Sequence, residues 1–267
     1  MKIPKVSVIM SVYNGLPYLK EAIKSILNQT YRNFEFIIVD DASEDKTWEY
    51  LKNLKEERVK LMRNKKNLGL AASLNIALRQ SQGDFIARMD ADDISLPSRF
   101  EEQIKFLNKN SSIDLCGTWV DLVNDEGEIV GEKKFPVDDN NIKKALAWYS
   151  PIIHPTFMAR KIFYKKMGGY DATFDYAEDY DLLLRARGKF KMTNIGQKLL
   201  LWRLGNKRRS RSEMNKIDKA ELRIRIAEIK RNGISPKVLL ALFKKIIFMY
   251  LMPSPVKIKI AKLLKLA

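Results

Sequence analysis

Apolar residues recur along the first hundred positions with two alternating periods. Val6-Ser7-Val8-Ile9-Met10 is a compact apolar run that ends in the turn signal Tyr13-Asn14-Gly15. Leu16, Leu19, Ile23, Ile26 and Leu27 then fall at helical spacing, which predicts an amphipathic helix up to about Gln29. Phe34 to Val39 reads as a buried strand stopped by Asp40-Asp41-Ala42-Ser43. A polar helix from about Asp45 to Glu57 and a short strand at Val59–Met62 follow. Asn67-Leu68-Gly69 opens a helix with Leu70, Leu74, Ala77 and Leu78 on its apolar face. Phe85-Ile86-Ala87 is a fourth short strand, ended by Asp90-Ala91-Asp92-Asp93. Strands alternating with helices across short turns predict parallel βαβ units, an α/β sheet covered on both faces. Ligands of such sheets collect beyond the carboxyl ends of the strands, where Ser11, Tyr13, Asp40, Asp41, Asp90 and Asp92 all fall.

The pattern is weaker beyond residue 110. Ile113–Val123 and Ile129–Phe135 read as two strands joined by the Asp125-Glu126-Gly127 turn, Asp139–Tyr149 and Ala177–Arg187 as helices, and Leu199–Leu204 as a last short strand. After Arg203 the pattern is helical, with breaks at Gly233–Pro236 and Pro253–Pro255. The sequence has no internal repeat and no low-complexity linker, so the chain divides near residue 205 by a change of character: a domain over 1–205 and a helical extension over 206–267.

Composition narrows the function classes. The 267 residues are 46% hydrophobic, which excludes a disordered chain. The single Cys116 excludes a disulfide framework and a thiolate zinc site, and it reads as inert packing. The single His154 excludes a two-histidine relay. Met1 to Lys5 has no leader-like pattern, and the most apolar stretch, Val238 to Met252, is interrupted by Lys244 and Lys245 and is too short to span a bilayer. These features predict a soluble, cytoplasmic protein. Of the net charge of +17, +14 falls from Arg203 onward, with 18 Lys+Arg against 4 Asp+Glu. A near-neutral body with a basic extension points to an anionic partner for the extension alone.

Several acidic groups could carry chemistry. Asp90 and Asp92 stand on alternate positions after a buried strand and could converge on one Mg²⁺, which takes few carboxylates plus substrate phosphates; Asp92 or Asp93 could equally cap the following helix. A buried carboxylate at Asp40-Asp41 could accept from a nucleobase imide or a ribose hydroxyl, or simply end a strand. In Glu178-Asp179-Tyr180-Asp181, Glu178 and Asp181 share a helical face while Asp179 points elsewhere. That run is either a first helical turn favoured by the macrodipole or a base beside a cationic ligand. His154, between Pro151 and Pro155, reads as a satisfied, partly buried hydrogen-bonding residue.

Taken in order, Val6–Asn14, Phe36–Ser43, Asn67-Leu68-Gly69, Met89–Asp93, His154-Pro155-Thr156, Gly168-Gly169-Tyr170-Asp171 and Glu178–Asp181 resemble the family-two inverting glycosyltransferases of the GT-A fold, over roughly residues 4 to 205. The resemblance implies a Rossmann-like, mostly parallel nucleotide-binding sheet with helices on both faces. It implies a nucleotide-sugar donor, with UDP-sugars the expected class, and Mn²⁺ or Mg²⁺ as cofactor. Ser11 and Tyr13 would line the nucleotide pocket, Tyr13 near the base, and Asp41 would accept from the base N3–H. Asp90 would hold the ribose or a metal-bound water, Asp92 would ligate the metal, and Asp179 would deprotonate the acceptor hydroxyl. Such chemistry needs one carboxylate base and one metal held by carboxylates, and no histidine or cysteine nucleophile.

The chain departs from the family pattern at Trp202-Arg203-Leu204-Gly205, where Gly205 stands in place of a metal-reaching histidine. Arg203, Lys207, Arg208 and Arg209 are then candidates to supply positive charge to the diphosphate. The same segment resembles bacterial exopolysaccharide and lipopolysaccharide enzymes of amylovoran type. In the extension, Val256, Ile260, Leu263 and Leu264 gather on one helical face with lysines opposite, which suits an interfacial helix on anionic lipid or a helix packed on the domain. No nucleic-acid-binding signature is present, and none is expected as partner. The expected activity is transfer of a sugar to a hydroxyl of a growing, lipid-linked surface glycan at the cytoplasmic membrane face. A sugar nucleotidyltransferase, or an inactive glycan-binding scaffold of the same fold, are the alternatives.

Overall fold

The computed structural model describes residues 5–204, 214–233 and 236–247. Its first half is the alternating unit that the periodicity predicts: β1 (Val6–Val12), α1 (Leu19–Leu27), β2 (Phe34–Asp40), α2 (Thr47–Lys52), β3 (Val59–Arg63), α3 (Leu70–Gln80) and β4 (Phe85–Arg88). β1 pairs in parallel with β2 on one side and β4 on the other, and β3 adds to β2. Alternate residues of the central strands serve two cores. Val6, Val8 and Met10 with Phe36 and Ile38 face α1, while Ile9, Ile37 and Val39 face α3. Burial on both faces explains why these strands read as continuous apolar runs. Ser7 sits in this core only because its hydroxyl donates to Glu35 (2.6 Å), which also accepts from Gln82 N (2.7 Å) and pairs with Lys60 (2.7 Å).

The second half extends the sheet. β5 (Ile94–Ser95), α4 (Arg99–Lys109), β6 (Leu115–Val123), β7 (Ile129–Lys133), α5 (Asp139–Ala145), β8 (Met158–Arg160), α6 (Lys161–Met167), α7 (Glu178–Ala186) and β9 (Met192–Arg203) follow in order. The sheet runs β3-β2-β1-β4-β8-β6-β9-β5, with β7 on β6. The longest pairings are parallel, including β6 with β9, while the short β8 is antiparallel to both its neighbours. β9 is twelve residues long, where the sequence pattern predicts only its last few. The reason is a register shift opposite Thr118–Val120, which leaves the polar segment 196–198 exposed in mid-strand. β8 and α6 are likewise not legible in the apolar pattern.

Among the described residues, two helices follow the sheet, α8 (Met214–Asn232) and α9 (Pro236–Ile246), one on each side of the expected Gly233–Pro236 break. α8 packs on α7 through Ala220 and Ile224 and buries Arg225, whose guanidinium donates to Ala147 O (2.7 Å) and Trp148 O (3.0 Å). α9 leaves Leu239, Leu240, Phe243 and Ile246 exposed. No helix among the described residues is long and apolar enough to cross a membrane. The Pro253–Pro255 break and the amphipathic pattern over 256–267 lie outside the described residues.

Candidate active site

β1, β2 and β4 run parallel, so their carboxyl ends open on one edge of the sheet, and the chain switches sides between β1 and β4. That switch point is where such sheets form a crevice. Ser11 is buried near the end of β1, and Tyr13 follows it with 44% of its surface exposed, enough for one ring face to meet a ligand. Asn14 takes a left-handed conformation (φ 51°). Its side-chain oxygen accepts from Glu44 N (2.9 Å) and its own N–H donates to Ser43 (3.0 Å), joining the end of β1 to the β2–α2 loop.

Asp41 is buried at the end of β2 and accepts three hydrogen bonds, from Leu68 N (2.8 Å), Gly69 N (2.9 Å) and Asn64 Nδ2 (2.7 Å). It thereby neutralises donors at the entry to α3, where an anion is favoured. Gly69 is required there: its φ is +87°, and a Cβ would meet the Asp175 carboxylate at 3.2 Å. Asp40 turns away and pairs with Arg63 (3.1 Å).

The acid loop follows β4. Carboxylate oxygens of Asp90, Asp92 and Asp93 lie within 4.8 Å of one another, the group of three hard oxygen ligands found among the described residues. Asp90 is paired with Arg88, a fully buried arginine at the end of β4. Burial lowers the pKa of Arg88, and the Asp90 charge more than restores it, so the guanidinium stays charged.

Asp90, Asp92 and Arg88 share the wall of a cavity of about 650 Å³ with Asp179, Glu178, Ser150 and His154. Asp179 stands in the first turn of α7. Its neighbours there, Glu178 and Asp181, are buried, and Asp181 is occupied by Arg185 (2.6 Å) and Arg231 (2.8 Å). Asp179 instead accepts weakly from Ser150 (3.4 Å) and faces the cavity. Burial pushes its carboxyl pKa up, against the Tyr180 N–H and the Arg88 charge, which suits a proton acceptor. Gly169 holds the approach to this helix, since a Cβ would strike Asn75 Oδ1 at 2.4 Å, and Asn75 brackets the Tyr170 main chain (2.8 and 2.9 Å).

His154 Nε2 lies 2.8 Å from the Tyr170 hydroxyl, and burial with the Arg88 charge lowers its pKa well below the ordinary value. It is a neutral, satisfied wall residue, as its sequence context suggests. Phe135, Tyr149, Tyr176 and Trp202 supply aromatic walls of the same cavity.

Arg203 is placed differently from the expectation of a diphosphate ligand. Its guanidinium is buried and donates to four protein acceptors on Glu21, Asp92, Asn124 and Asp125. Gly205 and the run Lys207–Arg209 lie outside the described residues. Sequence reasoning missed Arg88, although a lone charge ending the apolar strand before the acid loop was a readable signal. It also missed Ser150 and the aromatic walls, which sit in segments without periodicity.

Residues 7–168 match the family model of glycosyl transferase family 2. The chain belongs to this family. The family-2 match ends before Asp179, so the expected base rests on geometry and motif order. WbnJ of Escherichia coli, an O-antigen biosynthesis glycosyltransferase, is 37% identical over 218 residues, covering 78% of this chain and 83% of its own length. EpsE of Bacillus subtilis is 43% identical over 188 residues, 68% of this chain and 66% of that protein, so the chain spans just under two thirds of this relative. The S. aureus TarS structure in complex with UDP-GlcNAc matches with a TM-score of 0.69 at 20% identity, over 91% of this chain and 72% of that one, which establishes a shared fold.

Proposed function

We propose that this family-2 protein is a metal-dependent, inverting glycosyltransferase that takes a sugar from a UDP-sugar and places it on a hydroxyl of a growing, lipid-linked glycan. The observation that carries this reading is that Asp90, Asp92 and Asp179 line one cavity, the first two from the loop after β4 and the third from the first turn of α7. A single in-line displacement needs those two functions on opposite sides of the anomeric carbon.

Ser11, Tyr13 and Asp41 hold the nucleoside along the edge of β1 and β2. Asp92, with Asp90, holds the ion, and their clustered oxygens are the donor set that Mg²⁺ and Mn²⁺ prefer. When bound, that ion supplies positive charge where the diphosphate gathers negative charge. Asp179 accepts the acceptor hydroxyl's proton as that oxygen bonds to the anomeric carbon. The bond from the anomeric carbon to the diphosphate oxygen breaks, the nucleoside diphosphate departs, and the configuration inverts. Arg88 pairs with Asp90, and its charge opposes the burial that raises the Asp179 pKa.

The lipid-linked acceptor is supported by the basic extension over 206–267, by the exposed apolar face of α9, and by the O-antigen assignment of WbnJ. A basic residue close to an anionic membrane contributes about 1 kcal/mol to binding, so this extension holds the domain at such a surface. Calorimetric titration of UDP with and without Mn²⁺, against CDP and GDP, tests the nucleotide site. Metal-linked binding that prefers UDP is expected, and absence of any nucleotide binding overturns the reading.

A further inference from the structure

Three carboxylates within 4.8 Å repel one another, so a loop that presents them must be held in shape before any ion arrives. Arg88 pairs with Asp90. The next two acids are held by Arg203, the last residue of β9. Its main-chain N–H donates to Asp93 Oδ1 (2.9 Å) and its Nε to Asp92 O (3.0 Å). Nη1 donates to Asn124 O (3.1 Å) and Asp125 O (3.2 Å) in the β6–β7 turn, and Nη2 to Glu21 Oε2 on α1 (2.6 Å). The guanidinium carbon stands 4.4 Å from the centre of the Tyr18 ring, and the Tyr18 hydroxyl donates to Asp125 Oδ1 (2.6 Å). Only 3% of the Arg203 side chain is exposed, whereas its anchor Glu21 is 55% exposed. A side chain committed in this way joins four segments distant in sequence.

Building on the ion site proposed above, we propose that Arg203 is a positioning residue: it fixes Asp92 and Asp93 in ion-binding shape by anchoring their loop to α1 and the β6–β7 turn, and it does not touch the donor diphosphate. The planar fork is what the arrangement requires. Lysine would keep the charge, and so serve a diphosphate, but could not reach acceptors on three segments at once.

The test is calorimetry of UDP on the full chain in EDTA and in Mn²⁺, comparing wild type, Arg203→Lys and Glu21→Ala. Positioning predicts metal-free UDP affinity within about twofold of wild type for both variants. The Mn²⁺-linked gain should fall by about 10–100-fold in Arg203→Lys, the usual effect of losing a partner behind a metal ligand, and in the same direction in Glu21→Ala. Glu21 is exposed on a helix, so its variant keeps the readout available if Arg203→Lys fails to fold. A metal-free affinity that collapses in Arg203→Lys while the Mn²⁺ gain persists would identify a direct diphosphate contact and overturn the proposal. An unchanged Mn²⁺ gain in Glu21→Ala also overturns it. A wild-type protein with no Mn²⁺-linked gain removes the ion site itself, and the positioning role with it.

Discussion

Asp179→Asn is the substitution that most sharply tests the division of labour in the cavity. Asparagine keeps the shape and can still meet the Ser150 hydroxyl, which lies 3.4 Å from Asp179 Oδ2, but cannot accept a proton. A positioned general base is worth about 10²–10⁴ in rate, so turnover should fall by that factor. Donor affinity should hold, because the nucleoside and ion contacts proposed above come from β1, β2 and the loop after β4. The pH profile gives a second reading. Burial raises the Asp179 pKa in the folded chain, so the wild-type rate should decline as pH falls through that raised value, and the residual rate of the variant should lose this acidic limb. Stability gives a third. An acid whose folded pKa lies above its unfolded one destabilises the folded state once ionised, and that penalty disappears at low pH. Asparagine removes the penalty, so the variant should melt at or above the wild-type temperature at pH 7. A stopped assay of nucleoside diphosphate release, calorimetry of UDP with Mn²⁺ and thermal melts decide the matter. Turnover within about tenfold of wild type, well short of the range expected for a lost base, would remove Asp179 from the proton path.

Asp92→Asn should reduce the Mn²⁺-linked part of UDP binding while leaving metal-free binding in place, and unchanged metal linkage in calorimetry would exclude Asp92 as a ligand. Gly69→Ala should destabilise the fold by about 1–3 kcal/mol, the usual penalty for forcing a side chain into a glycine-only backbone region, as read by denaturant unfolding; a neutral result would show that the α3 entry relaxes. Leu240→Glu with Phe243→Glu on α9 should lower cosedimentation with vesicles containing phosphatidylglycerol and leave UDP affinity unchanged, and equal vesicle binding would remove that face from membrane contact.

The parts of this molecule that are legible in sequence are those where local pattern and tertiary role coincide. β1 and β2 are buried throughout, α1 buries Leu19, Ile23 and Ile26 and half-buries Leu27, and Asp41, Asp90 and Asp179 stand at strand ends or helix starts, where short polar runs are conspicuous. β8 is only three residues long and takes its identity from pairing with β4 and β6, which no local window contains. The polar middle of β9 hides its strand behind a bulge. Arg203 shows the limit for function. Its residue type and basic neighbours point to phosphate, yet its partners are carbonyls and a carboxylate up to 182 positions away in sequence. Charge alone does not say which acceptors an arginine will meet.

Asp41 poses the complementary question, because it serves the fold and is also cast as the reader of the base. Its two oxygens already accept from Asn64, Leu68 and Gly69, which leaves one of a carboxylate's roughly four acceptor sites for a ligand. Replacing Asp41 cannot separate the roles, since asparagine would turn an N–H group toward main-chain donors and disturb the entry to α3. The ligand can be changed instead. Uracil offers N3–H to an acceptor, whereas cytosine presents an unprotonated N3 that a carboxylate would repel. A hydrogen bond to a charged group contributes about 1.5–3 kcal/mol, equivalent to about 10–150-fold in affinity. UDP should therefore bind more tightly than CDP by that factor at pH 7.5, and the difference should shrink as cytosine gains its N3 proton at lower pH. Equal affinity at both pH values would confine Asp41 to the architecture of α3 and leave base selection to Ser11 and Tyr13.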